Sequence, residues 1–322
     1  MKKKLLGKTG LEIPPLVFGG NVVGWTLDET QSLQMLDDLY QHGFTAIDTA
    51  DAYSRWINGN SGGESETIIG KWLASRKHRD SITLITKVGY DMGQGHKDLS
   101  ADYIAKACDD SLRRLQTDHI DLYFSHFDDE RTAPEETLRA YDQLVQAGKV
   151  RNIGASNLSP QRIKDSLAVS DQQNLVSYRV LQPEYNLYAR QEFEQQYAPL
   201  ACEFGLGVIT YYTLASGFLS GKYRGASDLK QSERGSGVEK YLESERGKAI
   251  LKALDEVSQR HDVSPAAVAI AWVMNNSVVT APIASATKPV HVEAFVQAVN
   301  FQLSDDDMKV LDVQQPAEEG AT

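Results

Sequence analysis

Residues 46–56 read Ala46-Ile47-Asp48-Thr49-Ala50-Asp51-Ala52-Tyr53-Ser54-Arg55-Trp56, an apolar strand start that ends in two carboxylates, a phenol, a guanidinium and an indole. A short apolar run that opens into a polar loop is the first half of a βα unit, and the same succession of run, loop and amphipathic helical stretch recurs along the chain. Strands are expected from Pro15 (PLVFGG), Thr45 (TAIDTA), Ile82 (ITLITKVG), Asp121 (DLYFSH), Val150 (VRNIGAS), Ser177 (SYRVLQPEY), Gly207 (GVITYY) and Val278 (VVTAPIA). Eight such units favour a closed α/β (β/α)8 TIM barrel over a doubly wound sheet, which has fewer units and a glycine-rich first turn.

Local signals support this reading. Thr26 and Glu29 have capping-box spacing, Gly43 stands where that helix would stop, and Ser159-Pro160 and Ser264-Pro265 read as N-cap followed by proline. Two runs flanking Gly7-Lys8-Thr9-Gly10 predict an N-terminal β-hairpin under the barrel floor. Only residues 213–246, rich in Gly and Ser, form a connection out of proportion. The chain is thus expected to be one barrel domain over 1–322, with a long loop after strand seven at 213–246 and a frayed tail at 315–322.

The bulk numbers restrict the partners. A chain of 322 residues that is 41% hydrophobic can bury a sizeable core. A net charge of −11 argues against nucleic acid or an anionic membrane as main partner, because the field repels both. Cys108 and Cys202 lie in expected helices far apart in sequence, as buried reduced thiols of a cytoplasmic protein would. The basic start, MKKKLLGKTGLEIPP, is interrupted before any apolar stretch reaches the length of a signal or a membrane span.

In such a barrel the loops at the carboxyl ends of the strands form the active face. Asp48 ends strand two with Tyr53 just beyond it, Lys87 ends strand three and His126 ends strand four. A lysine ammonium beside a phenol stabilises the phenolate, lowering the tyrosine pKa and favouring general acid catalysis, while a carboxylate keeps the lysine charged. Asp48, Lys87 and Tyr53 suit those three roles. Metal chemistry is not expected: His119, Asp121, His126 and Asp128 match no ligand motif, and no H-E-x-x-H occurs. VFGGNVVG, GQGHKD and SGKY all fail as dinucleotide or phosphate fingerprints.

The segments DTADAY, ITKVG, DLYFSH, IGASN, LQPEYN and TLASGFLSGKY, in this order over nearly the whole chain, resemble the aldo-keto reductases. The resemblance extends to the branch that contains channel β-subunits. It implies a catalytic tetrad of Asp48, Tyr53, Lys87 and His126, with Tyr53 as proton donor and His126 orienting the carbonyl. It also implies an oxidoreductase that reversibly converts an aldehyde or ketone to an alcohol. No side chain supplies a hydride, so a nicotinamide cofactor is implied, read as NADPH (NADP+) with NADH open.

By the same resemblance Gly20, Asn21 and Asp48 border that cofactor, Ser156, Asn157 and Gln182 hold its carboxamide, and Tyr211 stacks on its ring. Leu214, Gly217, Leu219 and Lys222 fold over the pyrophosphate. Ser285, Lys288 and His291 lead into a helix N-terminus suited to the 2′-phosphate. The chain departs from the common pattern where Ala294-Phe295 replaces a Glu-Asn pair at the adenine. Trp25, Trp56 and Phe127 are expected to bound the substrate. The alternative is a cofactor-binding regulatory subunit with little turnover, as some channel β-subunits are.

Overall fold

The computed structural model describes residues 1–313; the expected frayed tail at 315–322 lies outside them. Ten strands are named here in chain order: β1 (Lys4–Leu5), β2 (Glu12–Ile13), β3 (Val17–Gly19), β4 (Ala46–Asp48), β5 (Thr83–Val88), β6 (Ile120–Ser125), β7 (Val150–Ser156), β8 (Tyr178–Gln182), β9 (Gly207–Thr210) and β10 (Ala281–Ala284). Strands β3 to β10 close into a parallel barrel in sequence order, with β10 pairing both β9 and β3. This is the expected (β/α)8 architecture.

The helices are α1 (Glu29–Gln41), α2 (Glu64–Arg76), α3 (Ala101–Leu115), α4 (Pro134–Gln146), α5 (Pro160–Gln173), α6 (Ala198–Phe204), α7 (Glu239–Glu243), α8 (Glu245–His261), α9 (Pro265–Met274), α10 (Pro289–Asn300) and α11 (Asp305–Leu311). Ser159 and Ser264 cap α5 and α9, each followed by the expected proline. The cap of α1 differs from the one expected. Asp28, not Thr26, accepts from the Gln31 backbone, and the Gln31 side chain returns the bond to Asp28 N–H. Thr26 sits two residues too early and its hydroxyl has no partner.

The barrel interior is filled by Val17, Ala46, Ile85, Leu122, Phe124, Val180, Ile209, Ala281 and Ile283, which pack with Leu6 and Ile13 from the N-terminal strands. β1 and β2 pair antiparallel, Lys4 with Ile13 and Leu5 with Glu12, and the hairpin tip seats against β9. A side chain at Gly7, which has φ +52°, would strike the Gly207 backbone nitrogen at 2.3 Å. The hairpin therefore plugs the floor as expected.

Cys108 is buried in α3 and Cys202 is exposed on α6, both as free thiols. The expectation that both are buried fails at Cys202 because that position faces out on a short helix. The segment 213–246 is no structureless loop: it winds through three short helical turns, Ala215–Ser220, Ala226–Gln231 and Gly235–Gly237, then α7. Phe218, Leu219, Tyr223, Val238 and Tyr241 anchor it in the core. No helix among the described residues is long and apolar enough to cross a membrane.

Candidate active site

Strand parity builds the site. Side chains alternate faces along a strand, so a residue two positions past an inward core residue also points to the barrel axis, one layer higher. Asp48 follows Ala46, Lys87 follows Ile85, His126 follows Phe124, Ser156 follows Gly154, Gln182 follows Val180, Tyr211 follows Ile209, and Ser285 follows Ile283. Every lower partner in this set except Gly154 belongs to the interior cluster. The polar layer is thus the top of the core, made by continuing the same faces.

Lys87 is fully buried and spends all three of its donors: on Asp48 Oδ2 at 2.7 Å, on the Thr49 carbonyl at 2.8 Å and on Tyr53 Oη at 2.7 Å. The Tyr53 hydroxyl donates its own proton to Asp48 Oδ2 at 3.2 Å. Gln182 Nε2 donates to Asp48 Oδ1 at 2.9 Å, which completes the carboxylate. The Tyr53 and His126 rings meet edge to face with centroids 6.0 Å apart. The four side chains expected to act together are together.

Their electrostatics depart from the expectation in one respect. Burial, then the Asp48 charge, pushes the Tyr53 phenol well above its usual value, whereas the neighbouring ammonium was expected to bring it down. Burial and the Asp48 carboxylate bonded to the hydroxyl outweigh the neighbouring ammonium, whose own pKa burial lowers, with Asp48 opposing. Tyr53 is consequently held as a neutral phenol that has a proton to give. Burial, then Lys87, also drives His126 well below the ordinary imidazole range, so its ring is neutral, and its Nδ1 is buried with no partner.

A cleft of about 630 Å³ opens above this layer. Of the expected residues, Asn21, Trp25, Asp48, Tyr53, Trp56, His126, Phe127, Ser156, Asn157, Gln182, Tyr211, Leu214, Gly217, Lys222, Ser285 and His291 line it. Four do not. Lys87 lies beneath the floor, Gly20 is turned away with its carbonyl bonded by Ser65, Leu219 is a core side chain, and Lys288 is exposed at the N-cap of α10. Gly20 and Leu219 were expected at the cleft from the family resemblance; their neighbours Asn21 and Ser220 line it instead.

The lining is pre-tied. Ser156 donates to the Gln182 carbonyl at 2.9 Å, Asn157 donates to the His126 carbonyl at 2.9 Å, and Tyr211 donates to Asn157 Oδ1 at 2.9 Å. Ser285 donates to Asn21 Oδ1 at 2.7 Å, bridging the last and first barrel strands. A Cβ on Gly217, which has φ +90°, would lie 2.9 Å from Lys222 Cε. At the far end the His291 Nδ1 accepts from Thr287 N–H at 3.1 Å. Burial, then the charges of Lys222 and Lys288, lowers the His291 pKa.

Thr26, expected as a helix cap, and Tyr212, Ser216, Ser232 and Arg234, which no sequence signal placed at the site, also line the cleft. All but Thr26 belong to the folded-back segment after β9, where only tertiary packing decides which residue faces inward.

Comparison with known proteins agrees with this geometry. The model of the aldo/keto reductase family matches residues 15–314. The chain is 33% identical to the uncharacterized oxidoreductase YrpG of Bacillus subtilis (strain 168), over 100% of this chain and 98% of that protein. It is 32% identical to a probable voltage-gated potassium channel subunit beta of Arabidopsis thaliana, over 93% of this chain and 92% of that one. Norsolorinic acid reductase of Aspergillus flavus is 29% identical over 98% of this chain and 81% of its own.

Proposed function

The chain belongs to the aldo/keto reductase family, and from that premise we propose that it reduces an aldehyde or ketone to an alcohol with NADPH, reversibly, taking the proton from Tyr53. The observation that carries the reading is the Lys87 ammonium, buried and bonded at once to Asp48 and to the Tyr53 oxygen. An unprotonated Tyr53 oxygen left after proton transfer already has its counter-charge 2.7 Å away.

The residues present fit a nicotinamide dinucleotide. Tyr211, Asn157 and Gln182 line the cleft together, and so does His291 near the N-terminus of α10, within electrostatic reach of Lys222 and Lys288. When bound, the cofactor supplies the hydride that joins the carbonyl carbon. Ser156, Asn157 and Gln182 would hold the carboxamide, and Tyr211 would fix the ring by stacking. Asn21, Leu214, Gly217 and Lys222, which line the cleft, would follow the rest of the chain-like molecule, while Gly20 and Leu219 would support it from behind the lining. Ser285, Lys288 and His291 would take the 2′-phosphate, the basis for reading NADPH before NADH.

The Tyr53 hydroxyl moves its proton to the carbonyl oxygen. Lys87 stabilises the oxygen left behind, and Asp48 holds Lys87 in place. Neutral His126 can present one ring N–H to the same carbonyl oxygen and so orient it. Trp25, Trp56 and Phe127 form the apolar wall, suited to a substrate with an aromatic or aliphatic part.

The test is direct. Purified protein, NADPH and 4-nitrobenzaldehyde should show loss of nicotinamide absorbance, and Tyr53→Phe should slow it by about 10² to 10⁴ while cofactor affinity holds. Unchanged turnover in that variant rejects Tyr53 as the donor. Tight cofactor binding with no oxidation across a panel of carbonyls would favour the regulatory-subunit reading, which the Arabidopsis relative motivates.

A further inference from the structure

One asparagine stands where its side chain can react with its own backbone. Asn58-Gly59 is the only asparagine-glycine pair in the 322 residues. Both residues are exposed, at the tip of the loop that runs from Tyr53 and Trp56 to the start of α2. The Asn60 N–H donates to the Ile57 carbonyl at 3.0 Å, which makes Asn58 and Gly59 the two central residues of a tight turn. Gly59 takes φ +94° there, and a Cβ on it would meet nothing within 4 Å. No hydrogen bond among the described residues holds the Asn58 side chain or the Gly59 N–H.

The rest of the loop is tied down. Ser54 Oγ donates to the Val23 carbonyl at 2.8 Å, Asn60 Nδ2 donates to the Ser54 carbonyl at 2.9 Å, and the Ser61 N–H donates to Glu64 Oε1 at 2.8 Å. The tip is therefore a free end on a fixed root. Asparagines elsewhere lack this arrangement. Asn157 and Asn276 are bonded through their side chains, to the His126 carbonyl and the Tyr185 hydroxyl, and they precede Leu158 and Ser277. A side chain on the following residue crowds the backbone nitrogen next to the asparagine, whereas the hydrogen of glycine leaves it open.

From this arrangement we infer that Asn58 is a site of spontaneous deamidation, and that the modification acts on the wall of the cleft beside it. The Gly59 backbone nitrogen attacks the Asn58 Cγ. The new carbon–nitrogen bond closes a cyclic imide as the bond to the side-chain nitrogen breaks, and ammonia leaves with the proton given up by Gly59. Water then opens the ring at either carbonyl and leaves aspartate or isoaspartate. The balance is one water consumed and one ammonia released, with no oxidant and no cofactor. Either product carries a carboxylate that asparagine lacks, and isoaspartate also lengthens the backbone by a methylene. Trp56, two residues earlier, lines the cleft, and its ring meets Trp25 at 5.4 Å and Tyr53 at 6.2 Å. Both changes fall on the turn that follows Trp56, whereas the Tyr53 oxygen is held from below by Lys87. The action on the substrate wall rests on the reductase reading; the chemistry at Asn58 does not.

The test incubates the full-length protein and Asn58→Gln at mildly alkaline pH. It follows released ammonia, the masses of peptides that span the turn, and isoaspartate by enzymatic methylation. The wild type should convert at Asn58 before any other asparagine. Asn58→Gln, whose longer side chain closes its ring far more slowly, should lose most of the ammonia release. An intact Asn58 after other asparagines have converted overturns the inference. The converted protein should then show a raised KM for 4-nitrobenzaldehyde with kcat held, while Asn58→Gln incubated alongside keeps its KM. A KM that does not move, or a fall in kcat alone, rejects the action on the wall. If fresh protein reduces no carbonyl, the reductase reading fails, and the peptide masses still decide Asn58.

Discussion

Among single residues, the most telling is one outside the expected tetrad. Asp51 is buried, its Oδ1 has no partner, and burial, then the Glu66 charge, pushes its pKa up to about 8. Thr86 and Arg114 occupy Glu66, and the Arg114 charge, the Ala52 N–H and the Lys87 charge lower the Asp51 pKa without offsetting its burial. In the unfolded chain the same group ionises near 4. Below that pH both states hold the proton and Asp51 costs nothing. Between about pH 4 and 8 the unfolded chain has lost it and the folded one has not, so folding stability falls as pH rises, and it levels off above 8. Asp51→Asn should remove this slope, gaining in Tm over wild type at pH 8 relative to pH 5. A pH-independent difference between the two proteins would show that Asp51 is ionised in the fold.

Residues of this kind explain what the sequence disclosed. Asp48, Lys87 and His126 were legible because each stands at a strand end, where parity alone turns it inward. Asp51 and Arg234 were not, because a loop residue's direction is set by what packs above it. The sign of the Tyr53 shift was missed for a related reason: sequence shows that a lysine is near, but not that the phenol is buried with its hydroxyl on the Asp48 carboxylate.

At the level of elements, the strands were found because parallel barrel strands are buried on both faces and stand out as short apolar runs between turn residues. The cap of α1 was displaced by two residues because Thr26 and Asp28 both precede the helix, and only geometry chooses between them. The turns of 213–246 were invisible because such short helices are held by anchors such as Tyr223 and Tyr241, not by their own propensity. The N-terminus of α10 carries its own prediction. Lys288 there has no side-chain cap bond and presses on His291 together with Lys222. Lys288→Ala should weaken NADPH by about 1.5 to 3 kcal/mol and NADH by much less, as read by titration of nicotinamide fluorescence. Equal weakening would remove Lys288 from any contact with the 2′-phosphate.

For the molecule as a whole, the barrel divides labour between its ends: the hairpin closes one, and the segment 213–246 overhangs the other. Arg224 and Lys230 on that segment are exposed. Trypsin should cut there in the free protein, and saturating NADPH should slow the cut several-fold if the segment folds over the cofactor. Identical digestion rates with and without NADPH would show that the segment belongs to the substrate side alone.

The bond from Ser285 to Asn21 ties residues 264 positions apart, and it lies in the wall of the cleft. A ribosome making this chain therefore exports nearly nine-tenths of it before the groove can exist. Closing so long a loop costs conformational entropy that no early contact repays, so the ring's final seam is a late event of folding. Until the last strand arrives, the wall of the cleft that Ser285 and Asn21 close together cannot form.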